Sequence, residues 1–278
     1  MVTPDTPADA TDASAEQVLV QRHGARVDIV LNRPQQHNAM TPAMYGALTQ
    51  AFRELADDID ARVVVLRGAG GRAFAAGNDI AGFAGRSGAE IVADYESRVM
   101  GMLDALFALP QVTIAAVEGI CVGGGLAVAT CCDVRLATAD ARFGYPIART
   151  LGNALSRSVL ARCRHVFGES LTRAMLLTSQ LVDARRAYDV GAVLQVAQDS
   201  QALTNLLDQV ADGVVRSAPV TIEVTKAQLA ELTSAGTAPE AELLRAVYSS
   251  PGFAEGVRAF LAKESPAFPP ERLGRGGG

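Results

Sequence analysis

Two glycine-bearing stretches, Gly123-Gly124-Gly125-Leu126-Ala127 and Ala73-Phe74-Ala75-Ala76-Gly77-Asn78-Asp79-Ile80, have residue types that could do chemistry. Each follows an apolar, strand-like run, and each offers backbone N–H groups where a helix should begin. Glycine lets a ligand come close to main chain and permits the turn that aims an N–H outward. A helix N-terminus adds partial positive charge. Two such donors aimed at one point make a pocket for an oxygen that gains negative charge. Losing one donor of this kind typically costs about 2.7–4 kcal/mol of barrier. One glycine run alone is better explained by close packing of helix on strand. Two runs, each after a buried strand, favour the pocket.

A third glycine stretch is a weaker candidate. Gly68-Ala69-Gly70-Gly71-Arg72-Ala73 follows the apolar residues 63–66 and matches a Gly-x-Gly-x-x-Ala dinucleotide pattern. A nucleotide site of that kind needs a helix to start there. The small residues 74–78 do not supply one. His23, His37 and His165 fall in a turn, a loop and a helix, with no nucleophile or second ligand at telling spacing. There is no Gly-x-Ser-x-Gly elbow, and no pattern calls for a metal.

The elements that must position these loops read as an α/β chain. Residues 18–31 alternate around Arg22-His23-Gly24-Ala25 as a hairpin. Thr41 caps a helix with Pro42 at its first position, and Met44, Leu48, Phe52 and Leu55 share one face of it. Residues 63–66 are a continuous apolar run, which suits a strand buried on both faces, and 112–117 and 134–137 read as two further strands of a parallel set. A helix is expected over 87–109, ending at Pro110. After Ser200 helical periods dominate, at 202–215, 219–232, 239–248 and 252–263. The domain reading is a disordered tail over 1–16, a core over 17–200 and a C-terminal helical region over 201–278. That helical region cannot bury its apolar faces alone, so it should pack on the core or on a second copy of the chain.

Composition narrows the partners. The 278 residues are 49% hydrophobic and 20% charged, ample for a buried core. The net charge of -5 provides no basic face for nucleic acid. No apolar run is long enough to span a membrane. Cys121, Cys131, Cys132 and Cys163 form no Cys-x-x-Cys pair and read as small buried residues of a reducing cytoplasm.

From about residue 18 to residue 268 the chain resembles the crotonase superfamily, the enoyl-CoA hydratase/isomerase group. The likeness rests on Leu31-Asn32-Arg33-Pro34 with Asn38-Ala39, and on the stretch from Arg72 to Ile80. It continues through Ile114-Ala115-Ala116-Val117-Glu118-Gly119 into the triple glycine. Cys132-Asp133-Val134-Arg135, Ala141-Arg142-Phe143-Gly144 and Ala259-Phe260-Leu261-Ala262-Lys263 complete it. The resemblance implies a spiral of ββα units and a C-terminal helical region that builds homotrimers or hexamers. It implies an acyl-CoA thioester as substrate, with coenzyme A arriving as part of it and no other cofactor. It makes the backbone N–H groups of Asn78 and Gly124 the oxyanion donors. It lays coenzyme A against Arg33, Ala76, Asn78, Asp79 and Ile80, with Phe260 and Lys263 of a neighbouring subunit closing over it. Lys263 then supplies a cation for a phosphate. From the residue alone, a solvated lysine at a helix end is an equal reading.

The departures from the family pattern bear on the reaction. Hydratases of this group carry a glutamate two positions after the third glycine, where this chain has Ala127. They carry a second after the proline of a Phe-Gly-x-Pro segment, where this chain has Ile147. Neither side chain can move a proton. General acid–base groups commonly contribute about 10²–10⁴-fold each, so ordinary hydration should be weak or absent. Residues 145–157 also depart from the family stretch. There Arg149 is either a clamp for a substrate carboxylate or half of a surface ion pair, and Tyr145 is either a proton donor or a packing residue. Asp79 fits an orienting group better than a base, and Glu118 a solvated or paired one. The expectation is an acyl-CoA-binding protein that supports an enolate. A non-catalytic acyl-CoA binder or oligomer partner is the alternative.

Overall fold

The computed structural model describes residues 17–79, 97–150, 154–233 and 251–271. The expected tail, the first half of the 87–109 helix, Ile80 and the 239–248 helix lie outside the described residues. The chain opens with β1 (Val18–His23) and β2 (Arg26–Leu31), an antiparallel hairpin turned at Gly24. Helix α1 (Pro42–Asp57) follows, and the Thr41 side chain accepts the Met44 amide at its N-terminus. Then come β3 (Val63–Gly68), β4 (Ala73–Ala75), α2 (Ser97–Phe107), β5 (Val112–Val117), β6 (Ile120–Val122) and α3 (Gly124–Cys131). β7 (Val134–Thr138), β8 (Arg142–Gly144), α4 (Ile147–Thr150), α5 (Arg157–Leu177), β9 (Val182–Asp183), α6 (Ala184–Asp189) and β10 (Gln195–Ala197) continue the core. α7 (Ser200–Val215), α8 (Pro219–Thr233) and α9 (Pro251–Ala262) close the described chain.

Long and short strands alternate along the chain and go to different sheets. β1-β2-β3-β5-β7-β10 form a six-stranded sheet, and β4-β6-β8-β9 a four-stranded one. Each turn of the chain therefore lays a strand in the first sheet and a short strand in the second before a helix carries it back. Repeated three times, at β3–β4, β5–β6 and β7–β8, this is the expected spiral of ββα units. Within the large sheet, β2, β3, β5, β7 and β10 are parallel, and the central strands are buried on both faces. Val64, Leu66, Ala115, Val117 and Ala137 face the main core with α1, α2 and α3. Their neighbours Val63, Val65, Ile114, Ala116 and Leu136 face α7. That is the two-residue period of a strand expressed twice over.

Helix α7 meets the sheet with Leu203, Leu207 and Ala211, one residue per turn along a single stripe. Burying each leucine contributes about 1.5–3 kcal/mol. The helix that begins the expected C-terminal region thus packs on the six-stranded sheet. α8 is tied in more lightly, by Val220 and Val224 and by the Lys226 ammonium, which bonds Asp133 at 2.6 Å and the Gln111 carbonyl at 2.8 Å. All four cysteines are buried free thiols. No helix among the described residues is long and apolar enough to cross a membrane.

Candidate functional site

The two glycine stretches meet. Gly123, at φ +55°, turns the chain out of β6 and caps α3 without any side chain. The Gly123 amide donates to the Gly144 carbonyl at 3.1 Å, which ties the helix start to β8. The first bond closing the helix is Ala127 N–H to the Gly123 carbonyl at 3.0 Å. The amides of Gly124, Gly125 and Leu126 lie ahead of it, among the N–H groups a helix cannot satisfy internally. Residues 125–131 of α3 are buried, so its partial positive end is set in low-dielectric surroundings, where it acts most strongly on charge.

The second loop is held in place by the segment before α1. The Ala76 amide donates to the His37 carbonyl at 2.9 Å, and the Met40 amide to the Gly77 carbonyl at 2.9 Å. The Asp79 amide donates to the Met40 carbonyl at 2.8 Å. These bonds form an isolated parallel bridge between Met40 and Asn78. In such a bridge the residue between the bonded groups turns its amide and carbonyl to the other side. Asn78 therefore presents its backbone amide away from Met40. Gly77 adopts φ +99°, a conformation other residues resist.

The contact between the loops excludes side chains. A Cβ on Gly124 would stand 2.1 Å from Asn78 Oδ1 and 2.8 Å from the Met40 methyl. A Cβ on Gly123 would stand 3.4 Å from the Gly77 Cα. A side chain at 124 would displace those two side-chain ends, whereas at 123 it is the positive φ that favours glycine. Asn78 Oδ1 also accepts the Tyr45 hydroxyl at 2.6 Å, and Tyr45 is buried in the first turn of α1.

Around this point the structure gathers several residues singled out from the sequence. Arg33 Nη1 donates to the Ala39 carbonyl at 2.6 Å and to Asp79 Oδ2 at 3.1 Å. Asn38, wholly buried, accepts the Arg33 amide at 2.9 Å and donates to the carbonyls of Ala69 and Ala73 at 3.0 and 2.7 Å. Asn38 thus clamps the Arg33 loop onto the chain entering β4. Ala76 is exposed, and Asn78 and Asp79 are half-buried, so this edge is open to a ligand. Ala127 is buried one helical turn past Gly124. Ile147 is half-buried against the core, three residues beyond the Gly144 carbonyl that holds Gly123.

Other residues are placed elsewhere. Tyr145 is wholly buried, beside Thr130, among Cys163, Cys131 and Cys121. Burial first, and then those thiols, push its phenol well above the ordinary value, which suits a packing residue and not an acid. Thr130 lies about 9 Å along α3 from Gly124. Arg149 is exposed on the single turn of α4. Glu118 is buried and paired with Arg67 at 3.7 Å, so it is not solvated. The Gly68–Gly71 loop leads into strand β4 and no helix begins there. Phe260 lies on α9, its side chain outside the described positions, and Lys263 is exposed just past that helix at φ +57°. Tyr45 was not singled out from the sequence. A tyrosine one position from Met44, on an otherwise apolar helix face, needs a partner for its hydroxyl, and that was the available signal.

Comparison with known proteins agrees with this fold. The family model described as enoyl-CoA hydratase/isomerase matches residues 22–271. A solved enoyl-CoA hydratase/carnithine racemase from Magnetospirillum magneticum is 35% identical, with a TM-score of 0.86 over 92% of this chain and 96% of that one. The enoyl-CoA hydratase EchA19 of Mycobacterium tuberculosis is 30% identical, covering 93% of this chain and 98% of its own. The mitochondrial Delta(3,5)-Delta(2,4)-dienoyl-CoA isomerase of Mus musculus is 31% identical over 80% of this chain and 71% of its own.

Proposed function

The chain belongs to the enoyl-CoA hydratase/isomerase family, and from that premise we propose that it binds an acyl-CoA thioester and stabilises the enolate of that thioester with the backbone amides of Asn78 and Gly124. The observation that carries this reading is the meeting of the two loops, so close that Asn78 Oδ1 fills the space a side chain on Gly124 would need. The acyl carbonyl oxygen would accept both amides. Charge that moves onto it in the reaction is met by donors already in place, each worth about 2.7–4 kcal/mol. Arg33, Ala76, Asp79 and Ile80 would flank the coenzyme A moiety, which calls for no further cofactor. Phe260 and Lys263 would come from a neighbouring subunit of a trimer or hexamer in the cytoplasm. Tyr145 is left out of these contacts, and Arg149 remains a candidate clamp for a carboxylate on the substrate.

The reaction should be one that asks little of side-chain acids and bases. Hydration needs a proton delivered to one carbon while water is activated at the next, and Ala127 and Ile147 can do neither. Loss of a carboxylate from the α-carbon of the acyl group, as in a malonyl-type thioester, needs less. The bond from Cα to the carboxylate carbon breaks, carbon dioxide leaves, the electron pair forms the enolate on the thioester oxygen, and water returns a proton to Cα. Isomerisation with little side-chain help is the other candidate. The test is incubation with crotonyl-CoA and with an α-carboxylated, malonyl-type acyl-CoA, followed by thioester absorbance and mass. Saturable binding with hydration near background is expected, together with turnover of the second substrate. Ala127→Glu combined with Ile147→Glu should gain hydration, at a cost in stability for the buried carboxyl. Rapid hydration by the natural protein would overturn the reading, and binding without conversion of any thioester would favour the non-catalytic alternative.

A further inference from the structure

The floor beneath the second loop is a single short segment, Met40 to Tyr45, and it grips Asn78 three times. Met40 bonds the residue before Asn78 through the Gly77 carbonyl and the residue after it through the Asp79 amide. The third grip is through the side chain. The Tyr45 hydroxyl donates to Asn78 Oδ1 at 2.6 Å, with the Met40 carbonyl at 3.4 Å as a more distant acceptor. Tyr45 is 1% exposed, so this bond forms where water does not compete well. Its ring is fixed by the helix: the Tyr45 amide donates to the Thr41 carbonyl at 3.1 Å, and the Thr41 hydroxyl caps the same turn. Beside the same carboxamide oxygen stands Gly124, whose missing Cβ would lie 2.1 Å away. The Asn78 carboxamide oxygen therefore stands between two neighbours, bonded to the Tyr45 hydroxyl and occupying the space beside Gly124.

Resting on the two-amide reading above, we infer that Tyr45 is a positioning residue which, by holding the Asn78 carboxamide against Gly124, sets the separation and aim of the two amides that would receive the thioester oxygen. Without the hydroxyl the carboxamide oxygen loses the bond that fixes it against Gly124, and the loop leans more heavily on the Met40 bridge. Ligand affinity comes mainly from the coenzyme A contacts and should change little. Polarisation of the carbonyl depends on alignment, and misplacement by about 1 Å can cost about 10²-fold in rate.

The test uses the full-length protein and 2,4-hexadienoyl-CoA, whose conjugated thioester absorbs at longer wavelength when its carbonyl is polarised. The natural protein should bind it with a red shift. Tyr45→Phe should bind within about threefold of the natural affinity while losing about half of the shift or more. Asn78→Ala, which removes the other end of the contact and leaves the phenol in place, should lose a similar part, and Tyr45→Phe added to it should change nothing further. Thermal melts establish that each variant is folded. If Tyr45→Phe does not fold, Asn78→Ala decides the matter alone. A full shift in either folded variant overturns the role of Tyr45. Absence of any shift in the natural protein would instead overturn the two-amide reading itself.

Discussion

Gly124 is the residue on which the site turns, and it allows a sharp separation of stability from function. Alanine is a better helix former than glycine, so Gly124→Ala should not harm α3 as a helix. The added Cβ would nevertheless meet Asn78 Oδ1 at 2.1 Å and the Met40 methyl at 2.8 Å, and those side chains must shift. We expect the variant to fold, and to lose carbonyl polarisation and about 10²-fold of any enolate-forming rate. Unchanged hexadienoyl-CoA spectra in the Gly124→Ala variant would show that the loops do not share a ligand. The glycine pattern itself was legible, because positive φ and close approach leave a mark on the sequence. The carboxamide contact was not. Asn78 reads as a loop residue and Tyr45 as one more core residue, and only the fold brings the two within 2.6 Å. Tyr145 was legible only as two alternatives, and its full burial favours packing.

Among the elements, α3 shows how a motif shared with a family can be structural. Arg135 of the Cys132-Asp133-Val134-Arg135 motif is turned back under the C-terminus of that helix. Its guanidinium donates to the carbonyls of Cys132 at 2.6 Å, Ala129 at 3.2 Å, Asp133 at 3.1 Å and Ala192 at 2.6 Å. A cation at the C-terminus and bare amides at the N-terminus both match the helix dipole. Burial lowers the pKa of Arg135, partly offset by Cys132 and Asp133. Arg135→Met should leave several buried carbonyls unpaired at about 1–3 kcal/mol each. The expected loss is at least about 3 kcal/mol, read as a lower urea midpoint. Arg135→Lys should recover only part of it, because a single ammonium cannot reproduce a planar fork. A midpoint unchanged in Arg135→Met would refute the bracing role. The longer strands β3, β5 and β7 were legible from their mostly apolar runs. The three-residue strands β4, β6 and β8 were not, being too short to express a period, yet they carry the loops to the site.

For the molecule as a whole, the question is what covers its remaining apolar surface. Between residues 177 and 194 five large side chains are exposed, Leu177 at 71% and Leu194 at 51%, with Leu181, Tyr188 and Val190 between them. They follow one another from the end of α5 through α6 to the start of β10. A family-like assembly would bury such a surface and would bring Lys263 of one subunit toward the coenzyme A of another. The natural protein should then sediment as a multiple of its 29.0 kDa chain, and Leu177→Glu with Leu194→Glu should shift it toward the single-chain mass. The exposed Lys263 makes the argument quantitative. If its ammonium meets a phosphate, Lys263→Ala should weaken acyl-CoA binding by about 1.5 kcal/mol, roughly tenfold. An acyl-pantetheine thioester, which lacks the nucleotide phosphates, should bind both proteins equally. The decisive comparison places Lys263→Ala in the dissociated variant. A lysine acting across subunits has nothing to lose there, so its substitution should leave acyl-CoA affinity unchanged. A tenfold loss that persists in single chains would mean that Lys263 serves its own subunit.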